Sequence, residues 1–179
     1  MLMNDVATFT QFPAAAATSH APKITIRNLD FFYGAFHALK AVNFDILERR
    51  DPALYGGGSL SELEHQIEGW AREAGLEPIF FQTNHEGEFV EYLHRLPDVA
   101  DASLINAGAW THYSRAIADA LDVAGLPAVE VHLSDVEARE DWRKVSVFDG
   151  LVVQKISGKG ADGYREALGV LARELGVAA

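Results

Sequence analysis

The chain has 179 residues, of which 49% are hydrophobic, so it can bury the core of one ordinary domain. Its formal net charge of −11 argues against nucleic acid or a membrane surface as a partner, because both are negatively charged. The absence of cysteine excludes disulfides, thiolate nucleophiles and metal sites built from thiolates. Since no apolar run approaches the roughly 18 residues of a membrane span, we expect a cytoplasmic enzyme or binding module.

The first 47 residues follow a different pattern from the rest of the chain. Residues 1–22 contain an alanine cluster but neither a basic segment nor a long apolar run, so we expect a flexible tail and not a signal peptide. Residues 23–47 combine apolar alternation, a Tyr-Gly turn and a second possible strand, which is typical of a β-ribbon. We therefore expect a tail at 1–22, an atypical ribbon-like leader at 23–47 and the main domain at 48–179.

From residue 58 onward, predicted strands and helices alternate. Ser59 and Glu62 form a capping box at the start of the first long helix, and Gly75 ends it. Further helices are predicted at 85–96, 111–125, from residue 134 and at 162–176, and strands at 77–82, 101–108, 127–133 and 151–157. This alternation predicts an α/β fold in which helices cover both faces of a parallel sheet.

Polar side chains follow two neighbouring strands of this predicted sheet. Asn106 and His112 come after one strand, while Glu130, His132 and Ser134 stand at the end of the next. Ligands of open parallel sheets bind beyond the carboxyl ends of the strands. The sequence therefore predicts a site where these two strand ends meet.

Five segments of the chain, spread over residues 48–179, resemble type II 3-dehydroquinate dehydratases. They are "ERRDPALYGG" (48–57), "TNHEGE" (83–88), "INAGAWTH" (105–112), "VEVHLSDVEAREDWR" (129–143) and "GKGADGYREAL" (158–168). The resemblance implies a flavodoxin-like, doubly wound parallel sheet and an enzyme of the shikimate pathway that needs no metal or cofactor. It also implies trimers that assemble into a dodecamer.

The front of the domain departs from that family. The family's first strand runs into a Gly-Pro-Asn loop, whereas this chain has "KAVNFDILERR", with Asn43 at the position of the loop asparagine and an atypical first strand. Residues 23–50 instead resemble the start of a phosphate-import ABC transporter ATPase, including an aromatic "FFYG" turn. No G-x-x-x-x-G-K-[ST] loop follows, so this part has no phosphate cradle with which to hydrolyse ATP.

The resemblance implies that the enzyme converts 3-dehydroquinate to 3-dehydroshikimate by anti elimination of water through an enolate. This reaction needs a base for the proton beside the ketone and an acid for the departing hydroxyl. Tyr55 is implied as the base, activated by a nearby cation, and Arg50 as the group that stabilises the transition state. His132 is implied as the acid, with Glu130 accepting its other N–H, and Asn43 completes the catalytic set.

The same resemblance implies a substrate-binding set. It consists of Asn106, His112, Asp119, Leu133, Ser134 and Arg143. Arg143 suits a bidentate pair with the substrate carboxylate, and Asp119 is expected to reach the site of a neighbouring subunit. Ser134 is also predicted to cap a helix with Glu137 at its third position. Arg139 is expected either to be a second lid charge or an interface charge, or to pair with Glu137 or Asp135.

Two other functions are compatible with the sequence. The leader, taken by itself, favours a transporter-associated nucleotide-binding module, although the phosphate loop is missing. Alternatively, the chain is a catalytically impaired relative, because the altered loop before Arg50 would displace that side chain, and a displacement of about 1 Å can cost about 100-fold in rate.

Overall fold

The computed structural model describes residues 30–33, 36–40 and 47–177, and the chain separates into two compact units, Met1–Phe44 and Asp45–Ala179. In the first unit, strand β1 (Asp30–Tyr33) pairs antiparallel with strand β2 (Phe36–Lys40). Asp30 lies opposite Lys40 and Tyr33 lies opposite Phe36. The predicted tail, the alternation predicted at 24–29 and Asn43 lie outside the described residues.

The second unit contains a parallel sheet with the order β3-β4-β5. The strands are β3 (Ser103–Ile105), β4 (Ala128–His132) and β5 (Gln154–Ser157), and the helices are α1 (Pro52–Tyr55), α2 (Leu60–Glu73), α3 (Glu86–Val99), α4 (Arg115–Ala124), α5 (Asp141–Lys144) and α6 (Asp162–Glu174). Helices α2 and α6 share one buried cluster with β4, and α3 and α4 share a second cluster with β3. The predicted parallel sheet with helices on both faces is therefore confirmed. Within the described part of the chain, no helix is long and apolar enough to span a membrane.

The predicted capping box of α2 and the predicted stop of α4 at Gly125 are confirmed, whereas α4 begins at Arg115 and not at the predicted residue 111. The Ser59 hydroxyl accepts from the backbone N–H of Glu62 at 3.1 Å, while the Ser59 N–H donates to the Glu62 carboxylate at 2.8 Å. Helix α4 begins after Ser114, whose hydroxyl accepts from the N–H of Ile117, and ends at Gly125 in the left-handed conformation. These caps satisfy backbone groups that a helix end would otherwise leave unpaired.

The strand predicted at 77–82 is wrong, because this segment has no regular secondary structure and pairs with no strand in the described residues. Ile79 is 62% exposed, and the ring of Phe81 stacks on Tyr92 of α3 at 3.9 Å between centroids. An apolar run becomes a strand only when a neighbour accepts its backbone hydrogen bonds. The apolar pattern that suggested a buried strand therefore reflects side-chain contacts with α3.

The helix predicted from Ser134 is also wrong. Residues 133–140 form bends and a turn, and only α5 further along is helical. The Asp135 side chain accepts from the N–H of Glu137 at 3.0 Å, which offers the backbone a turn in place of a helix. Ser134 therefore caps no helix here, and its buried hydroxyl is available to the site.

Strand β4 is buried along its whole length and presents two different faces. Val129, Val131 and the following Leu133 join the cluster of α2 and α6, as the alternation predicts. Glu130 and His132 alternate with them, and they are 0% and 6% exposed. A carboxylate and an imidazole are therefore enclosed in the sheet, where each needs a polar partner.

Substitution of two glycines that follow β5 tests how tightly the chain packs against the turn after β4. Gly158 and Gly160 both have positive φ, but a Cβ on Gly158 would lie 2.8 Å from the Cβ of Asp135, whereas one on Gly160 meets nothing within 4 Å. We expect Gly160→Ala to cost about 1–2 kcal/mol of unfolding free energy from backbone strain alone. Gly158→Ala should cost about 1–3 kcal/mol more, because the clash adds to the strain. Urea unfolding of both variants measures this difference, and equal losses would show that the Asp135 turn yields freely.

Candidate active site

A short helix presents the Tyr55 phenol at one side of the site. Helix α1 starts at Asp51, whose carboxylate accepts from the N–H of Ala53 at 3.0 Å, and has Pro52 at its first position. It ends at Gly56 in the left-handed conformation, where the backbone N–H donates to the Pro52 carbonyl. The signals that begin and end this helix are both local, so a single turn forms. Tyr55 is its last residue.

Two arginines surround the Tyr55 ring. The Arg139 Nη1 donates to the phenol oxygen at 3.3 Å, and the Arg50 guanidinium lies 5.1 Å from the ring centroid. Burial by itself raises the pKa of Tyr55, but hydrogen bonds from Arg139 and Ser134 and the positive charges of Arg50 and Arg139 outweigh burial and hold the pKa below 10.0. The phenolate is thus stabilised, as a tyrosine base requires.

A buried chain of hydrogen bonds holds the His132 ring. Its Nε2 donates to Glu130 Oε1 at 2.6 Å, and the second carboxylate oxygen accepts from the Ser146 hydroxyl at 2.8 Å. Ser146 lies after α5 and is itself buried. The predicted pairing of Glu130 with His132 is therefore present, and the sequence analysis missed Ser146 because nothing local signals a contact across 16 residues.

The structure brings His112 beside His132. The two rings are nearly parallel, with 17° between their planes and 6.2 Å between their centroids. His112 Nδ1 donates to the carbonyl of Val145 at 2.9 Å, and Trp142 meets the His112 ring edge-on at 5.2 Å. The ends of β3 and β4 therefore converge as predicted, since the last residue of β4 and the chain that follows β3 bring these two imidazoles together.

Asn106 is held from two sides. Its amide nitrogen donates to the hydroxyl of Tyr164 at 2.7 Å, and its oxygen accepts from the N–H of Gly108 at 3.2 Å. Burial raises the pKa of Tyr164 above 10.0, with a smaller opposing effect from the Asn106 hydrogen bond. Tyr164 therefore stays a neutral anchor, and the exposed Asn106 has a fixed orientation at the end of β3.

Glu140 connects the two arginines of the segment after β4. Its Oε2 lies 2.9 Å from Arg143 Nε and 3.4 Å from Arg139 Nε. The expected pairing of Arg139 with Glu137 or Asp135 is not found, since Arg139 contacts Tyr55 and Glu140 while Glu137 lies near Lys155. The absent helix explains this change, because the turn at 133–140 directs Arg139 towards Tyr55.

The remaining predicted residues occupy different surroundings. Leu133 and Tyr55 line a cavity of about 110 Å³ next to α2, and Ser134 is buried at the end of β4. Asp119 is exposed on α4, and no hydrogen bond or ion pair among the described residues joins it to the rest of the set. Over the same residues, no group of three or more histidine, aspartate or glutamate side chains could hold a metal ion.

Comparison with known protein families shows to which family this chain belongs. The family model described as dehydroquinase class II matches residues 35–172. The chain belongs to the class II dehydroquinase family. The match begins inside the leader, and the transporter likeness of residues 23–50 stays a prediction from the sequence.

Two curated proteins named 3-dehydroquinate dehydratase are similar to this class II dehydroquinase. The protein from Pelobacter propionicus is 47% identical over 131 residues, which cover 73% of this chain and 88% of the relative. The protein from Syntrophotalea carbinolica is 47% identical over 135 residues, which cover 75% and 90%.

Solved structures of the family agree with the fold. The type II dehydroquinase of Propionibacterium acnes superposes with a TM-score of 0.67 at 38% identity, covering 71% of this chain and 88% of the other. The type II dehydroquinase of Butyrivibrio crossotus has a TM-score of 0.65 at 32% identity, covering 73% and 88%. The predicted flavodoxin-like α/β fold is thereby confirmed.

The contact between Arg139 and Tyr55 predicts a measurable change in acidity. In Arg139→Gln the phenol loses a hydrogen bond and a nearby cation, so its pKa should rise towards 10.0. Ultraviolet titration of tyrosinate, with Tyr55→Phe subtracted, isolates this group. Arg143→Gln is the matched control, since it removes a guanidinium that shares Glu140 but not Tyr55. An equal rise in both variants would mean that general charge, and not this contact, sets the pKa.

Proposed function

We propose that the chain is a 3-dehydroquinate dehydratase, a hydro-lyase that forms 3-dehydroshikimate in the shikimate pathway of aromatic amino acid biosynthesis. The observation that carries the proposal is that Ser134, two residues after the carboxylate-bound His132, hydrogen-bonds the Tyr55 phenol, whose pKa is lowered. Such a tyrosine and histidine can remove a proton and deliver another, which is what elimination of water beside a ketone requires. The names of the similar proteins support the same substrate.

Tyr55 takes the first proton in this proposal. The phenolate removes a proton from the carbon beside the ketone, and the electrons of that C–H bond form the enolate. Arg139 stabilises the phenolate through its hydrogen bond at 3.3 Å. Arg50, whose guanidinium lies near the Tyr55 ring, favours the negative charge that develops in the transition state. Asn43 belongs to the same proposed catalytic set.

His132 completes the elimination. It donates a proton to the hydroxyl on the next carbon while the C–O bond breaks, so water leaves and the enolate electrons form the new double bond of the enone. Glu130 holds the Nε2 of His132, so Nδ1 is the nitrogen that transfers the proton. Proton transfer from a positioned side chain contributes about 10²–10⁴ to the rate.

The substrate is bound, in this proposal, by the residues predicted from the family. Arg143 exchanges the carboxylate of Glu140 for that of the substrate, a pairing that suits a guanidinium. The side chains of Asn106, His112 and Ser134 contact the ring hydroxyls, and Leu133 contacts the ring itself. The hydrogen bond to Tyr164 holds Asn106 in place for this role.

A further part of the proposal concerns assembly and location. We propose trimers that combine into a dodecamer, with Asp119 reaching the site of a neighbouring subunit, and a cytoplasmic location. Exposure of Asp119 on α4 supports the first point, because a buried side chain could not reach another chain. The division into a tail at 1–22, a leader at 23–47 and a catalytic domain at 48–179 is likewise proposed.

One observation favours a second candidate, a catalytically impaired relative. The segment 77–82 pairs with no strand among the described residues, and the sequence before Arg50 lacks the Gly-Pro of the family's loop. Both features concern the part of the fold that precedes the Tyr55 helix. A shifted Arg50 would lower the rate while leaving the buried Glu130–His132 pair intact.

Substitution of the proposed base and acid tests the dehydratase. Tyr55→Phe and His132→Ala should each lower kcat at least about 100-fold, because each removes one proton transfer. Appearance of the ultraviolet absorbance of the enone product measures the rate. Tyr113→Phe and His94→Ala, both at exposed positions, are the matched controls and should retain wild-type kcat.

The outcomes separate the two candidates. An active wild type whose rate is unchanged by both substitutions would contradict the assigned roles. A wild type that binds 3-dehydroquinate without producing the enone would favour the impaired relative.

The proposed assembly is tested by two neighbouring carboxylates on α4. Asp119→Ala should raise KM, since a contact from the adjacent subunit is lost, whereas Asp122→Ala on the same helix, also exposed, should not. Sedimentation equilibrium should show multiples of three chains for all three proteins. A fully active monomer would remove Asp119 from the site.

A further inference from the structure

The segment after α5, residues 145–148, contacts both histidines of the site. The carbonyl of Val145 accepts from His112 Nδ1 at 2.9 Å. The next residue, Ser146, donates its hydroxyl to Glu130, the partner of His132. The N–H of Val147 donates to the carbonyl of Thr111 at 2.8 Å, which ties the segment to the residue before His112. One stretch of chain is therefore connected to both imidazoles.

The direction of the Ser146 hydrogen bond is determined by its surroundings. The hydroxyl oxygen accepts from the backbone N–H of Phe148 at 3.1 Å, so its single proton is free for another acceptor. That acceptor is Glu130 Oε2 at 2.8 Å. Glu130 is 0% exposed, so bulk water does not reach its carboxylate.

The carboxylate of Glu130 thus has one oxygen bound by Ser146 and the other bound by His132. With Oε2 bound to Ser146, Oε1 stays directed at His132 Nε2, 2.6 Å away. A carboxylate accepts and cannot donate when ionised, so Nε2 must carry the hydrogen. The other ring nitrogen, Nδ1, is then the one that exchanges protons with a ligand.

We propose that Ser146 is a positioning residue, which fixes the rotamer of Glu130 and, through it, the tautomer and orientation of the His132 ring. The inference rests on the proposed dehydratase only for its kinetic consequence, since the tautomer of His132 is a property of the free protein. Ser146 acts through Glu130 and touches no reacting atom.

Comparison with other hydroxyls in the same domain shows that the Ser146 contact is specific. The side-chain oxygens of Ser103 and Thr111 are also buried, yet within the described residues neither has a hydrogen-bond partner. The domain therefore contains buried hydroxyls that support no polar group. Ser103→Ala, on β3 of the same sheet, is consequently a matched control: it removes a buried hydroxyl and leaves Glu130 untouched.

The first experiment reads the ring directly by ¹⁵N nuclear magnetic resonance of the histidine side chains, with His132→Ala used for assignment. The wild type should show the neutral His132 with its hydrogen on Nε2. In Ser146→Ala the carboxylate can rotate, so the His132 signals should move towards a mixture of tautomers, while Ser103→Ala should match the wild type. A wild-type ring with its hydrogen on Nδ1 would overturn the proposal, and this result does not depend on whether Ser146→Ala folds.

The second experiment measures dehydration of 3-dehydroquinate. Ser146→Ala should lower kcat about tenfold, the effect expected for one hydrogen bond to a charged group, with KM changed less than about twofold. Ser146→Thr keeps the hydroxyl and should recover most of kcat. A Ser146→Ala protein with a wild-type His132 spectrum and wild-type kcat would overturn the positioning role.

The two readouts keep this proposal separate from the proposed function. If the wild type does not dehydrate 3-dehydroquinate, the proposed function fails, and the ¹⁵N spectra still decide whether Ser146 positions His132.

Discussion

The site depends on a carboxylate enclosed at the centre of the sheet. Glu130 lies on the middle strand of three, is completely buried and has both oxygens hydrogen-bonded. Burying an unpaired charge costs several kcal/mol, so a residue in this position persists only when donors surround it. Ser146 and His132 are those donors. The contacts that offset the cost of burying Glu130 also hold the His132 imidazole in one orientation. One arrangement therefore both stabilises the fold and positions the imidazole.

The surroundings of Tyr55 differ from those of Glu130 and His132. Tyr55 is only partly buried and stands on a single helical turn. Burial raises its pKa, but hydrogen bonds from Arg139 and Ser134 and the charges of Arg50 and Arg139 together lower the pKa by more. Arg139 reaches the phenol because the chain after β4 turns instead of forming a helix. Glu140 lies beside both Arg139 and Arg143 and lets two guanidiniums stay close together. In the proposed dehydratase, the base is partly exposed on a short helix and the acid is enclosed in the sheet, which suits a reaction in which substrate must enter and leave.

The main departure from expectation concerns the edge of the sheet. Among the described residues β3 is the last strand on its side, and the apolar run at 77–82 packs Phe81 on Tyr92 in place of extending the sheet. In the second unit, sheet pairing begins only at β3, well after the Tyr55 helix. The hydrogen bonds of Glu130 and His112 are independent of that edge, because they join β4 and the residues around His112 to the segment 145–148.

Local sequence was sufficient for several features that short-range chemistry controls. The capping box at Ser59, the stop at Gly125 and the alternating faces of β4 follow from neighbouring residues, and the five family segments pointed to Tyr55, Glu130 and His132. The Asp135 contact that replaces the expected helix is also local, but Ser134 fitted the pattern of a helix cap as well. Tertiary structure decided the rest, since whether 77–82 becomes a strand depends on a partner elsewhere in the chain. The partners of Glu130 and Tyr55 are 16 and 84 residues away, and a contact across such a distance is set by packing, which no local pattern encodes.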